Sequence, residues 1–329
     1  MRAAGETLSL KEERPPLTVV VPVLDEATTL PEVHRRLRSS LPPGTEIIFS
    51  DDGSRDGSID VARSLVRSDP LVRAVRLRRH LGKSHALAAG FARARGLWIA
   101  TLDADLQEDP EEIARLLAVL EAEGFDLVGG WRRLRRDPPA KVLASRIFNS
   151  LVSFLGGVCF RDINCGLKVM RREVMDELSL AAGFHRFIPL LAHWKGFRVT
   201  EREVAHRPRE HGRSRYGGER IFHGLVDLLV ILFLVRSERR PSRYFIGTGL
   251  VLFLGGFAVS AYIAWLRLAR GTIESRYPLL ALGVLLILAG IQVASLGFFG
   301  ELMAYHFRSI RPESPAAEDL EARDPEDSP

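Results

Sequence analysis

Residues 97–112 read LWIATLDADLQEDPEE, and the fold follows from where that run changes character. Leu97–Leu102 is apolar enough for a strand buried on both faces. Everything after Leu102 turns acidic and closes on Pro110, a residue suited to the first turn of a helix. An apolar strand that ends in carboxylates and leads into a helix is one step of a βα unit. Working outward, the unit repeats. Apolar runs at Thr18–Val23, Glu46–Ser50, Val72–Leu77 and Asp126–Gly129 predict further strands, and helical patterns near 27–39, 58–66, 84–95 and 110–123 separate them. Such alternation predicts an α/β domain, a mainly parallel sheet with helices on both faces.

Ligands of such sheets bind beyond the carboxyl ends of the strands. Acidic residues gather there: Asp25 and Glu26 after the first strand, Asp51 and Asp52 after the second, Asp103 and Asp105 after the fourth. Two carboxylates at i and i+2 can face one cavity and share a divalent cation. Hard oxygen donors suit Mg2+ or Mn2+, which keep positions open for substrate phosphates, and Gln107 can add a carbonyl oxygen. The chemistry implied is departure of a nucleoside diphosphate, whose developing charge a metal stabilises.

Plainer readings compete. SDDGSRDGS (50–58) could be a tight turn capped at Ser58. Read from Asp52 as a calcium loop, it fails at the twelfth position, Arg63. Gly82-Lys83-Ser84 lacks the opening glycine of a P-loop, because Leu77 stands there, and no G-x-G-x-x-G follows a strand.

The chain has 329 residues, 26% of them charged, yet its mean hydropathy is +0.03, so apolar residues must be concentrated somewhere. They are. Tyr244–Leu266 and Pro278–Gly300 are each 23 residues without a charge, long enough to span a bilayer of ~30 Å. Eleven residues separate them, which predicts a transmembrane hairpin with both chain ends on one side. Six arginines flank the terminal side (Arg236, Arg239, Arg240, Arg243, Arg308, Arg311) against three in the loop (Arg267, Arg270, Arg276). That bias predicts a cytoplasmic N-terminal domain in a multi-pass protein of the cell membrane. Ile221–Val235 is apolar but broken by His223 and Asp227, and predicts an interfacial helix.

Net charge is +5, but residues 312–329 hold seven acids against Arg323, leaving +11 on residues 1–311. A basic body suits phosphates or an anionic membrane surface. Its arginines are not interleaved with aromatics, so nucleic acid is not expected as a partner. Cys159 and Cys165 are too few for a disulfide scaffold or a four-cysteine zinc site. Residues 1–16 hold no apolar run, and no secretory signal is expected.

Six stretches stand in one order: VVVPVLDE (19–26), SDDGSRDGS (50–58), LDADLQEDPEE (102–112), RDINCGLKVMRREV (161–174), HRFIPLLAHWKGF (185–197) and HRPREHGRSRYG (206–217). Together they resemble glycosyltransferase family 2 proteins of the polyprenyl-phosphate type, akin to dolichyl-phosphate mannose synthase and its bacterial relatives. The resemblance covers residues 17–240. It implies a GT-A fold and metal-dependent, inverting transfer of one hexose from a GDP- or UDP-sugar to a dolichyl or undecaprenyl phosphate. By the same resemblance, Pro22, Leu24 and Glu26 line the nucleotide pocket, with Phe49 and Asp51 or Asp52 at the base and ribose. Asp103, Ala104, Asp105 and Gln107 hold metal and diphosphate. Arg132, Arg209 and Arg215 match arginines that meet phosphates, although Leu24 stands where some relatives have Tyr and Arg215 where many have Lys.

Asp105, Asp162, Arg209 and Arg215 are the catalytic candidates. A lipid phosphate is already ionised near pH 7 and is its own nucleophile, so Asp162 is expected to position the acceptor or the metal rather than remove a proton. Arg209, Arg213 and Arg215, flanked by Gly212, Gly217 and Gly218, are expected on a mobile loop that closes over phosphates.

The expected organisation is a flexible N-terminus (1–16), a catalytic domain (17–220), an interfacial helix (221–240), two transmembrane helices (241–303) and a disordered acidic tail (304–329). The transmembrane helices are also where two copies could associate. A processive polysaccharide synthase would carry Q-x-x-R-W, which this chain lacks. A sugar nucleotidyltransferase would open on a Gly-rich loop after the first strand, and none is there. A family 2 enzyme with another lipid or glycan acceptor, and a non-catalytic membrane partner, remain the alternatives.

Overall fold

The computed structural model describes residues 14–133, 139–178, 184–207, 242–272, 276–308 and 316–320. They fall into an α/β unit and a unit of two long helices. The α/β unit carries strands β1 (Leu17–Val23), β2 (Glu46–Asp51), β3 (Val72–Leu77), β4 (Trp98–Thr101), β5 (Leu127–Trp131), β6 (Lys168–Arg171), β7 (Val199–Glu203) and β8 (Ala316–Leu320). Its helices are α1 (Leu30–Ser40), α2 (Ser58–Ser68), α3 (Lys83–Phe91), α4 (Glu111–Glu123), α5 (Pro139–Gly156), α6 (Arg172–Glu177) and α7 (Ile188–Trp194).

The strands form one sheet in the order β7-β5-β6-β4-β1-β2-β3-β8. β3, β2, β1 and β4 are parallel, β6 runs antiparallel to both β4 and β5, and β7 is parallel to β5. Buried on both faces, the central strands read as near-continuous apolar runs. Val19, Val21, Val23, Ile47 and Phe49 pack on one face with Leu30 and Leu37 of α1, Val66 of α2 and Leu116 of α4. Val20 and Ile48 pack on the other with Leu87 of α3, Val174 of α6 and Ile188 of α7.

The chain winds outward from β1 to β3 and then returns to β4 on the opposite side of β1. The loops after β1 and β4 therefore diverge at the switch point of the sheet, where such folds hold their ligands.

Five residues of the acidic tail (312–329) are described. Ala316–Leu320 is the edge strand β8, antiparallel to β3, with Glu318 in register opposite Arg76. An open edge offers a row of unpaired backbone groups that any extended segment can satisfy, and acidic residues are no obstacle opposite a basic strand.

The second unit is α8 (Ser242–Arg270) and α9 (Tyr277–Arg308). Phe245–Arg270 and Tyr277–Gly300 have mean hydropathies of 1.9 and 2.5 and are long enough to cross a membrane. Their outward residues include Leu250, Leu254, Phe257, Trp265, Leu285, Leu288, Leu296 and Phe298, all exposed. Exposure of so many large apolar side chains is compatible with a surface that faces lipid. Glycines set how closely the two helices approach: a Cβ on Gly249 would lie 2.6 Å from the Gly290 carbonyl oxygen, and one on Gly256 would lie 2.5 Å from that of Gly283. Small residues at such contacts let backbones meet where no water drives association. The expected interfacial helix, Ile221–Val235, lies outside the described residues.

Candidate active site

The loops after β1 and β2 are stitched together by hydrogen bonds. The Asp25 N–H donates to Ser54 Oγ (2.9 Å), Glu26 N–H to Ser58 Oγ (2.9 Å), Ala27 N–H to Asp56 Oδ2 (3.0 Å), and Arg55 N–H to Asp25 Oδ1 (2.8 Å). Ser58 opens α2 behind Gly57 and does not cap it; its hydroxyl donates to Asp56 Oδ1 instead. Pro22, Leu24 and Glu26 are partly exposed along this rim. Phe49 is fully buried in the core cluster that also holds side chains of α1 and α2.

Asp51 and Asp52 are both about 2% exposed and act on the protein's own backbone. Asp51 accepts from Ser54 N–H, and burial pushes its carboxyl up despite that bond. Asp52 accepts from Leu81 N–H (2.8 Å) and Gly82 N–H (2.9 Å) and faces His80 Nδ1 (2.8 Å). A Cβ at Gly53 would meet the Arg79 carbonyl carbon and His80 nitrogen at 2.9 Å, so the neighbouring glycine is what lets the two loops close.

After β4 the burial alternates. Asp103, Asp105 and Gln107 are partly exposed, whereas Ala104, Leu106 and Glu108 are buried. The i, i+2 spacing thus puts both carboxylates and the amide on one open face, with Ala104 beneath. Leu106, at φ 60°, sits in the left-handed region and turns the segment. Lys83 Nζ lies 2.5 Å from Asp103 Oδ1. Burial works against the Asp103 charge, but Lys83, then Lys168 and Arg132, hold its pKa below the ordinary carboxylate value.

Behind this face is a set of residues the sequence did not single out. Glu108 Oε1 accepts from Gly166 N–H (3.1 Å) and Leu167 N–H (3.2 Å), while its Oε2 is buried without a hydrogen-bond partner. Burial, and then Asp103, push the Glu108 pKa up. Lys168 donates to the Cys165 carbonyl oxygen. Gly166 is pressed against the site: a Cβ there would lie 2.7 Å from Asp103 Cγ. Gly166→Ala should therefore shift Asp103 and cut turnover by about tenfold or more, with the fold retained by circular dichroism. Wild-type turnover in that variant would show that the Asp103 position is not critical.

Asp162 and Arg132 are brought together, and with each other. Arg132 Nε lies 2.7 Å from Asp162 Oδ2 and Nη2 lies 3.1 Å from Oδ1, a bidentate pair with the Asp162 side chain 2% exposed. The carboxylate raises the Arg132 pKa against the effect of burial. Glu201 of β7 accepts the Asp162 N–H and so fixes its backbone. Next to the acidic face, Arg207 N–H donates to the Gln107 carbonyl oxygen (2.8 Å). Arg209 and Arg215 follow it in the chain and lie outside the described residues, as does Arg213.

Among the described residues, no three His, Cys, Asp or Glu side chains gather as a metal cage. Asp103, Asp105 and Gln107 nonetheless fit a divalent cation of the hard type, which takes one or two carboxylates and is completed by phosphates. The charge held on Asp103 beside a cation is consistent with that donor set.

A mainly parallel sheet wound about a switch point, with carboxylates following β4 there, is the GT-A-like architecture. The chain belongs to glycosyl transferase family 2, whose description matches residues 18–179, and it is a glycosyltransferase. It is 34% identical over 295 residues to dodecaprenyl-phosphate galacturonate synthase of Rhizobium johnstonii, covering 88% of this chain and 87% of that protein. It is 36% identical over 302 residues to undecaprenyl-phosphate 4-deoxy-4-formamido-L-arabinose transferase of Salmonella choleraesuis, covering 90% of each. Glucosyl-3-phosphoglycerate synthase of Mycobacterium tuberculosis, solved with Mn2+, UDP and product, shares the fold at a TM-score of 0.54 and 22% identity, over 67% of this chain and 80% of that one. The two long apolar helices mark this family member as membrane-associated.

Proposed function

We propose that the protein transfers one hexose from a GDP- or UDP-sugar to a polyprenyl phosphate at the cytoplasmic face of the membrane. The observation that carries this reading is the open Asp103/Asp105/Gln107 face at the switch point of a chain similar along nearly its whole length to polyprenyl-phosphate sugar enzymes. The catalytic part would span residues 17–220, followed by an interfacial segment (221–240) and the hairpin anchor (241–303).

Pro22, Leu24 and Glu26 border the nucleotide pocket in this reading, and Asp51 and Asp52 shape its floor by fixing the loops around it. Asp103, Asp105 and Gln107 would hold Mg2+ or Mn2+, which when bound neutralises charge on the departing diphosphate. Ala104 packs beneath them and keeps the segment close to the sheet. Asp162 orients Arg132 toward the phosphates, and Arg209 and Arg215 would, by the family resemblance, meet them. The acceptor phosphate needs no base, because its own oxygen is ionised and attacks the sugar carbon while the nucleoside diphosphate leaves.

The test is direct. The protein, purified in detergent, is given a panel of nucleotide sugars with polyprenyl phosphate, and sugar-lipid product is measured. Product from another lipid or glycan acceptor, with none from polyprenyl phosphate, would replace this reading. Orientation is checked separately in a Cys159→Ser background. Thr272→Cys should label from outside intact cells, and Leu320→Cys should not; the reverse pattern would overturn the cytoplasmic placement.

A further inference from the structure

We infer that Lys83 is the built-in counter-cation of Asp103, occupying the metal's place in the nucleotide-free enzyme and passing to the donor diphosphate when metal and nucleotide sugar bind together. This rests on the reading of Asp103 and Asp105 as metal ligands. Its geometry is independent of that reading. Lys83 is held from both sides: Leu81 and Gly82 before it donate backbone N–H groups to buried Asp52, and Ser84 after it binds His185 through the hydroxyl, 2.7 Å from Nδ1. Gly82, at φ 99°, makes the turn that brings Lys83 to the first position of α3. The backbone is therefore fixed, and only the four-carbon stem is free to swing between a carboxylate and a phosphate.

Charge explains why it should swing. Asp103 also feels Lys168 and Arg132. A divalent ion arriving alone would add to three nearby cations and must displace an ammonium already in contact with the ligand oxygen. A diphosphate arriving with the ion supplies the anions that Lys83 can take up instead. Metal alone should then bind weakly, and metal with nucleotide strongly. Lys83 acts as the coupling between the two.

Mn2+ binding to the full chain in detergent, read from the electron paramagnetic resonance signal of the free ion with and without UDP, tests this without turnover. Lys83→Met should tighten Mn2+ binding in the absence of UDP by about tenfold or more, since a point charge in contact with the ligand is removed. The gain from adding UDP should shrink in the same variant. Lys83→Arg, which keeps the charge, should remain as weak as wild type and controls for damage to the fold. Unchanged Mn2+ affinity in Lys83→Met, or equal tightening in Lys83→Arg, would overturn the inference while leaving the metal reading intact. Absence of Mn2+ binding to wild type with UDP, or binding unaffected by Asp103→Asn, would overturn the metal reading and this inference with it.

Discussion

Asp103→Asn abolishes nearly all sugar transfer while the protein remains folded: that is the expected result, with a loss of about 10²–10³-fold in turnover. The substitution keeps the shape of the side chain and removes its charge. Asp103 lies on the open face after β4, and its only described salt-bridge partner is Lys83 on α3, so no core contact is lost. The cost falls on the reaction, because the departing diphosphate loses the charge organised opposite it. Asp105→Asn should behave alike. Turnover unchanged in either variant, or undiminished in excess chelator, would remove the metal from the mechanism.

The second large effect falls on stability. Asp162→Ala leaves the Arg132 guanidinium, whose side chain is 17% exposed, without its bidentate partner. Breaking a buried pair from one side costs about 3–5 kcal/mol, because the remaining charge is uncompensated. Thermal unfolding in detergent should show a clear drop in Tm. Arg132→Leu with Asp162→Leu should recover most of the lost stability and none of the transfer. A positioning role predicts that outcome, whereas loss of a proton-accepting Asp162 would leave Asp162→Ala stable and slow it where the carboxylate is ionised, converging on wild type only at low pH. An Asp162→Ala protein as stable as wild type would contradict the geometry of this pair.

What the sequence revealed, and what it hid, divides by distance along the chain. β1 to β4 and their helices were legible because apolar runs and turn residues are local; Val72–Leu77 is β3 to the residue. The carboxylates Asp103 and Asp105 could be read off the run that follows β4, and both are partly exposed. Partnerships were not legible. Nothing near Glu108 announces that it will hold Gly166 and Leu167, 58 and 59 residues away. Lys83 was read for a phosphate-loop resemblance and dismissed, although it meets Asp103 across 20 residues. The resemblance puts Phe49 near a nucleotide base, while strand alternation places its side chain in the core. β6 is only four residues long and antiparallel, too short for periodicity to mark. Cys165, in the loop before it, shows its neighbourhood only in space: burial and Glu108 push its thiol well above the ordinary range.

The pairing of β8 with β3 has a consequence for the order in which the molecule is made. β3 leaves the ribosome early, whereas its outer neighbour is synthesised only after both long apolar helices. At roughly 5–20 residues per second, the β3 edge waits on the order of ten to fifty seconds for residues 316–320. During that interval the sheet has an open side, and Arg76, whose side chain is 36% exposed, is a charge on that edge that discourages pairing with a stranger. Nascent chains stalled after α9 would keep that side open, and should be the ones that recruit chaperones or aggregate.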